Sequence, residues 1–398
     1  VPGAGFGCRY WKQETLGKEN MATDTNARSG GTTRRETLHL LGMGVAAAAM
    51  APATLAAPPY PNGAVIRTLL KDFAPEDLAG GATLFHEHMS MRDGFMVDWM
   101  RYSAETRAAN RAPNAPPPAQ PAAPPAAAPP ANFMEDEALM TEEMKLAKDD
   151  GIGCIVDAGH PDMGRDIGFL TRISKGSGLP IVASAGFYTQ PFYPKALSKW
   201  SEEQVYLEIM KQVNGANIGA LGEIGSWDYM TKDERKVFRA IAKVHKATGI
   251  PIFTHTGIPG KAALEQLDIL EDGGVDPKHV VIGHLGNLAD TNTEIQRAVI
   301  RRGAFIGFDR QGGNGDDPVA AMAMSLIEAG YADKLMFAAD LSSPRDIRKN
   351  GGAGYAKTLT VFVPKIRKLG ATDEVLHQIM YDNPRRFLAF VPKVSRKA

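Results

Sequence analysis

From residue 80 onward, short runs of β-branched and apolar residues alternate with amphipathic stretches of helical length, which is the pattern of parallel βα units. Eight strands are expected at Ala82–His88, Ile152–Asp157, Pro180–Gly186, Ile218–Glu223, Pro251–Thr256, Val280–His284, Ala304–Phe308 and Leu335–Asp340. Most strand ends lie 24 to 37 residues apart, but the first interval is 69 residues long. It contains Pro113 to Ala131, nine prolines and eight alanines in nineteen positions, a composition from which no core can be packed. A disordered insert is therefore expected at 103–132, most simply a neutral spacer beside the active mouth. Eight units with no other break in composition predict one closed (β/α)8 TIM barrel over 80–392, with an extension at 57–79 before it and a tail at 393–398 after it. No strand is followed by a glycine-rich dinucleotide turn.

Ahead of the barrel, Thr33-Arg34-Arg35-Glu36-Thr37-Leu38 leads into Leu40–Val45 and the alanine run Ala46–Ala49, with small residues at Thr54 and Ala56. This reads as a twin-arginine export signal occupying 1–56, with cleavage near Ala56, the twin-arginine machinery as a partner and the periplasm as destination. Val1 to Asn20 adds charge and Trp11 in front of the signal, and Met21 is a candidate start. The apolar stretch holds Gly42 and Gly44 and is shorter than the roughly 20 residues of a membrane span. Export of an already folded chain suits a protein that takes up metal before leaving the cytoplasm.

Composition narrows the function. The 398 residues carry 45 Lys+Arg against 45 Asp+Glu, with 44% apolar positions, so a large core is available and no net field favours nucleic acid or anionic lipid. Two cysteines, Cys8 and Cys154, rule out a disulfide scaffold.

Polar residues terminate the apolar strands. His86 and His88 share one side of the first strand by alternation. Glu223, His255, His284 and Asp340 close the fourth, fifth, sixth and eighth. The carboxyl ends of barrel strands meet at one mouth, so four imidazoles and two carboxylates are expected to converge there. Such a donor set favours divalent transition metal, zinc first, with manganese, cobalt or iron also compatible. Two ions are expected: one on His86, His88 and Asp340, one on His255 and His284, with Glu223 able to span both. Four positive charges then offset Glu223, Asp340 and a shared hydroxide. Of the remaining histidines, His160 lies after the second strand as a candidate substrate contact; His39, His245, His279 and His377 read as structural or solvated.

The motifs His86-Glu87-His88, Gly164-Arg165-Asp166, Ala185-Gly186-Phe187-Tyr188, Gly222-Glu223-Ile224-Gly225, Thr254-His255-Thr256-Gly257, Gly283-His284, Gly307-Phe308-Asp309-Arg310 and Asn383-Pro384-Arg385-Arg386 resemble, in order and spacing over about 80 to 392, the phosphotriesterase-like branch of the amidohydrolase superfamily. The resemblance implies a (β/α)8 barrel, binuclear metal hydrolysis of organophosphate triesters, lactones and related esters or amides, and ligand roles for His86, His88, His255, His284 and Asp340. Barrels of this family often pair, so a homodimer is admissible. Two departures matter. Glu223 stands where many relatives carry a bridging carbamylated lysine, as in the phosphotriesterase-related subgroup; its shorter reach leaves open whether it bridges or binds one ion. Asn287 stands where organophosphate hydrolases have an aspartate that accepts a proton. Both changes favour a carbonyl substrate.

The expected reaction is attack by a metal-bridging hydroxide on the carbonyl of a small lactone, carboxylic ester or N-acyl compound. Asp340 orients the nucleophile and takes its proton, and Tyr188 hydrogen-bonds the hydroxide or substrate. Asp309, Arg310 and Arg345 lie beyond strand ends as candidates to grip an anionic group, while Arg165 reads as a structural ion pair. Phe187, Phe192, Tyr193, Trp227 and Tyr229 are candidate apolar wall. The competing readings are an organophosphate triester hydrolase and a non-catalytic exported barrel that binds metal or ligand.

Overall fold

The computed structural model describes residues 60–109, 132–257, 260, 262–287, 292–313 and 315–393; the segment read as an export signal, with Cys8 and His39, and the Pro/Ala run lie outside the described residues. A two-residue hairpin, β1 (Ile66–Arg67) with β2 (Asp72–Phe73), precedes the barrel, an element too short to leave a periodic signal. The barrel strands are β3 (Ala82–Glu87), β4 (Ile152–Asp157), β5 (Ile181–Ala185), β6 (Ile218–Ser226), β7 (Ile252–Thr256), β8 (Val280–Ile282), β9 (Phe305–Phe308) and β10 (Leu335–Phe337). All eight fall where the alternation of apolar runs put them, and neighbours pair in parallel from β3 round to β10.

Three strand ends differ from expectation in a way that matters for chemistry. β8 and β10 stop short, so His284 and Asp340 stand in the turns that follow, with left-handed backbone (φ 63° and 48°). β6 runs on past Glu223, because its pairing with β7 slips between Leu221 and Ile224. Gly222 makes the slip possible: its φ is +146° and a Cβ there would collide with the Phe253 carbonyl, so only glycine fits.

The seam between β3 and β10 is bridged by the first strand's own polar groups. Glu87 accepts the N–H groups of Ala339 (2.6 Å) and Leu341 (2.9 Å), and the Asp340 N–H reaches the His86 carbonyl at 3.2 Å. Burial drives the Glu87 carboxyl up to about 8, against the pull of those two N–H groups. Inside the barrel Phe85, Val156, Val182, Phe253, Val281 and Met336 form one buried cluster, and Leu84, Ile155, Ile181 and Leu221 face the helices in another. Cys154 is buried in the inner cluster with its thiol pushed up to about 12 by burial, an inert packing residue.

The first crossover holds a helix, α1 (Phe95–Ala109), that continues beyond position 103, where the insert was expected to begin. Ser103-Ala104-Glu105-Thr106-Arg107-Ala108-Ala109 is compatible with helix throughout, and the prolines start only at Pro113. The outer helices stop and start on local signals. Helix α2 (Lys232–Thr248), for instance, has a reciprocal Thr231/Glu234 capping box and a left-handed Gly249 behind it. Among the described residues no helix is long and apolar enough to cross a membrane.

Candidate metal centre

At the carboxyl end of the barrel the six expected side chains come together. His88 Nε2 lies 3.2 Å from Glu223 Oε1 and 3.1 Å from Asp340 Oδ1. His86 Nε2 lies 3.2 Å from Glu223 Oε2 and 3.6 Å from Asp340 Oδ1. Glu223 Oε2 also sits 2.8 Å from His255 Nδ1 and 3.3 Å from His284 Nε2. Among the described residues three groupings have their ligand atoms within 4.8 Å of one another: the two expected donor sets, His86/His88/Asp340 and Glu223/His255/His284, and His86/His284/Asp309, in which Asp309 is bonded to His284 Nδ1.

The donors fit divalent cations better than they fit each other. Both ring nitrogens of His86 and Nδ1 of His88 are buried without a hydrogen-bond partner among the described residues, an arrangement that is costly unless something polar completes it. Burial alone would raise the Glu223 carboxyl, but the His86 and His255 charges and bonds from His255 and His284 hold it well below the usual range. Burial is likewise outweighed at Asp340 by Arg310 and His86, and that carboxyl is also held far down. Both are acceptor-only carboxylates at neutral pH.

The surroundings fix these donors. His284 gives its Nδ1–H to Asp309 Oδ1 at 2.7 Å, and its backbone N–H goes to Asp309 Oδ2 at 3.2 Å, which orients Nε2 toward Glu223 and His255. Burial and the nearby Arg310 charge pull the His284 ring down, but Asp309 and Glu223 more than compensate and bring it up to about 9. His255 goes the other way, to about 4, through burial and the His284 charge. Arg310 Nε bonds Asp340 Oδ2 at 2.7 Å, leaving Oδ1 toward the two histidines. The loop after β3 is held from outside: Asp157 accepts the Met89 N–H at 2.9 Å, and Tyr355 donates to the His88 carbonyl at 2.7 Å. His284, Arg310 and Asp340 are all non-glycine residues with positive φ, a conformation costing about 1–3 kcal/mol each and held by these anchors.

A cavity of about 420 Å³ opens over the donors, with His88, Glu223, Asp340, Arg310, Tyr188 and Trp99 in its wall together with Met91, Phe95, Met96 and Met163. Tyr188 is buried, with its hydroxyl oxygen 3.0 Å from His255 Nδ1 and receiving the Trp99 indole N–H at 2.9 Å. Burial and the Glu223 charge hold its phenol well above the ordinary value, so it remains a donor.

The remaining expected contacts separate. Arg310 lines the cavity, and Trp227 lines a smaller space beside it with Trp99 and His255. Asp309 is fully buried behind His284 and acts on that ring, not on a ligand. His160 is also fully buried, at the start of a one-turn helix with Nδ1 3.6 Å from Asp162, and does not line the cavity. Tyr229 is 60% exposed and the Arg345 side chain is exposed; neither lines the cavity, although Ser342 and Asp346 of the Arg345 loop do. Phe192 stacks beneath Phe95 at 4.6 Å and Phe187 packs on Tyr193 at 6.0 Å, so the apolar wall comes from α1 instead. Arg165, expected in a structural ion pair, instead donates to the carbonyls of Gly159 and Ser184, tying its loop to β5. Sequence reasoning missed Trp99 and the anchoring role of Glu87. The latter sat within a quoted motif, but its direction depends on a slip in β3–β4 pairing between Leu84 and Glu87.

Comparison with known proteins agrees with this fold. The profile of the Phosphotriesterase family matches residues 67–388. The phosphotriesterase homology protein of Escherichia coli K12 is 30% identical over 264 residues, 64% of this chain and 89% of its own. The N-acetyltaurine hydrolase of Xenopus tropicalis is 27% identical over 347 residues, 82% of this chain and 98% of its own. Among solved structures, the Escherichia coli protein with phosphate in its active site superposes with a TM-score of 0.65 at 26% identity, covering 79% of this chain and 100% of that one. A resiniferatoxin-binding protein from Rhodobacter sphaeroides gives 0.68 at 26% identity, with 82% and 95% covered.

Proposed function

Since the chain belongs to the phosphotriesterase family and is a hydrolase, we propose that it uses two divalent ions, zinc preferred, to cleave a small N-acyl compound, carboxylic ester or lactone. The observation that carries this reading is the position of Glu223, whose Oε1 lies 3.2 Å from His88 and whose Oε2 lies 3.2 Å from His86, 2.8 Å from His255 and 3.3 Å from His284, so that the carboxylate touches both donor sets. His86, His88 and Asp340 would hold one ion and His255 and His284 the other, with Glu223 between them. Bound there, the ions would acidify water and polarise a carbonyl.

The chain's own groups supply the rest. Asp340, with Oδ2 taken by Arg310, keeps Oδ1 to orient a water and accept its proton. In the overall reaction the water oxygen bonds to the carbonyl carbon, the C–N or C–O bond breaks, and the proton passes to the leaving atom. Tyr188 donates to an oxygen of the substrate, its own oxygen fixed by Trp99. The methionines and aromatics of the wall exclude solvent and suit a partly apolar acyl group. A carbonyl substrate is further supported by relatives named for N-acetyltaurine hydrolysis and by Asn287, which cannot accept a proton where organophosphate hydrolases carry an aspartate. Export through the twin-arginine machinery belongs to the same reading, on the strength of Arg34, Arg35 and the apolar run behind them.

The test is a panel of N-acyl amino acids, aryl esters, lactones and phosphotriesters on metal-analysed protein. Turnover of acyl substrates that is lost on chelation supports the reading. Turnover of phosphotriesters alone favours the organophosphate alternative, and full metal loading without any turnover favours a binding barrel.

A further inference from the structure

The cavity that exposes His88, Glu223 and Asp340 also exposes Ser342, Asp346 and Lys357, none of which belongs to the donor sets. We infer that Lys357 is the recognition cation for an anionic group on the substrate, a carboxylate or sulfonate carried by the part of the acyl compound away from the scissile bond. This deepens the hydrolase reading and rests on it.

Lys357 is an enclosed ammonium, its side chain only 9% exposed, while its partner Asp346 is 36% exposed at 3.2 Å. An ammonium has three donors. Among the described residues the Asp346 carboxylate is the one acceptor at Nζ, so the group lining the cavity has donor capacity to spare in a place where water is restricted. Arg310, the other cation of the wall, is already committed: Nε to Asp340 at 2.7 Å, and the guanidinium 5.7 Å above the Trp99 ring. The lysine is also held in position. Gly312 has φ +97°, and a Cβ on it would lie 2.7 Å from Lys357 Cγ, so this loop closes directly on the lysine stem. The loop is itself tied down by the Gly312 and Gly313 N–H groups, both on Asp316 Oδ2 at 2.9 and 3.1 Å. A positioned, poorly hydrated ammonium in the same small cavity as the hydrolytic donors selects substrates by charge at the end that does not react. Asp346 limits that attraction, which keeps an anionic product from being retained.

The experiment is calorimetric titration of the metal-loaded full chain with 5-oxohexanoate, a ketone that mimics an N-acetyl β-amino acid but has no bond to hydrolyse, with its primary amide and with its sulfonate counterpart. At least one of the two anions is expected to bind about tenfold or more tightly than the amide. Comparing the carboxylate with the sulfonate tells which anion the site prefers. Lys357→Met should remove that preference, leave the amide unchanged and leave metal content unchanged; Lys357→Arg should restore part of it, and Asp346→Asn should strengthen it. Equal binding of anions and amide by the native protein, or an undiminished preference in a folded Lys357→Met variant, overturns the inference. Absence of turnover with every acyl substrate would sink the hydrolase reading but would leave this binding preference standing, so the two failures are distinguishable.

Discussion

His255 Nδ1 and His284 Nε2 stand 2.7 Å apart, with Glu223 Oε2 2.8 Å from the first and 3.3 Å from the second. Two imidazole nitrogens at that distance must share a proton or face a cation together. Without an ion the proton sits on His284, since burial and the His284 charge depress His255 to about 4 while Asp309 and Glu223 raise His284 to about 9 against burial; a divalent ion facing both nitrogens would displace it. Asp309 decides which nitrogen of His284 is free. Replacing it by asparagine removes the charge that holds the Nδ1 proton, and should weaken metal affinity about 10- to 100-fold, as read by competition with a chelator. Unchanged affinity would mean that Asp309 is packing alone.

Tyr188 touches His255 and the cavity but sits in neither donor set. Tyr188→Phe should lower kcat roughly tenfold to hundredfold while metal content stays as in the native chain. A variant with native kcat, or one that loses metal, would contradict the role given to the phenol.

Glu87 holds the barrel seam shut through the Ala339 and Leu341 N–H groups. Glu87→Ala leaves both without an acceptor, and should destabilise the metal-free protein by about 2–5 kcal/mol in denaturant titrations. A loss under about 1 kcal/mol would show that water or a shifted carbonyl replaces the carboxyl.

Glu234 is buried, with Oε2 on the Thr231 N–H and Oε1 on the Gln190 N–H, and burial raises its carboxyl from 4.5 to about 7. A raised acid binds its proton more tightly in the folded state, so its contribution to stability is complete below about pH 4.5 and is lost as pH climbs through about 7. Relative to Glu234→Gln, the native chain should therefore lose about 2–3 kcal/mol of stability between pH 5 and 8. Parallel stability curves for the two proteins would contradict the shift.

The strands and the polar residues at their ends were legible because each apolar run closes on a residue that an all-apolar strand would not carry: His255 after Ile252-Phe253-Thr254, His284 after Val280-Val281-Ile282. What local pattern could not supply was direction after a register slip, as at Glu87 and Glu223, or the identity of the cavity wall. Asp309 looked like a ligand contact because it follows a barrel strand, yet it turns back under His284. Trp99, on α1, and Lys357 reach the cavity from outside the barrel strands, and His160 is fully buried away from it. Those placements are fixed by tertiary packing, to which periodicity is blind.

The shared carboxylate is the centre of the account, and elemental analysis of the native chain beside Glu223→Gln, with the ions located by anomalous diffraction, tests it most directly. The native protein should hold two divalent ions, one on His86, His88 and Asp340 and one on His255 and His284, and the variant one or none. A native chain with fewer than two ions at these residues, or a variant that keeps both, would contradict it.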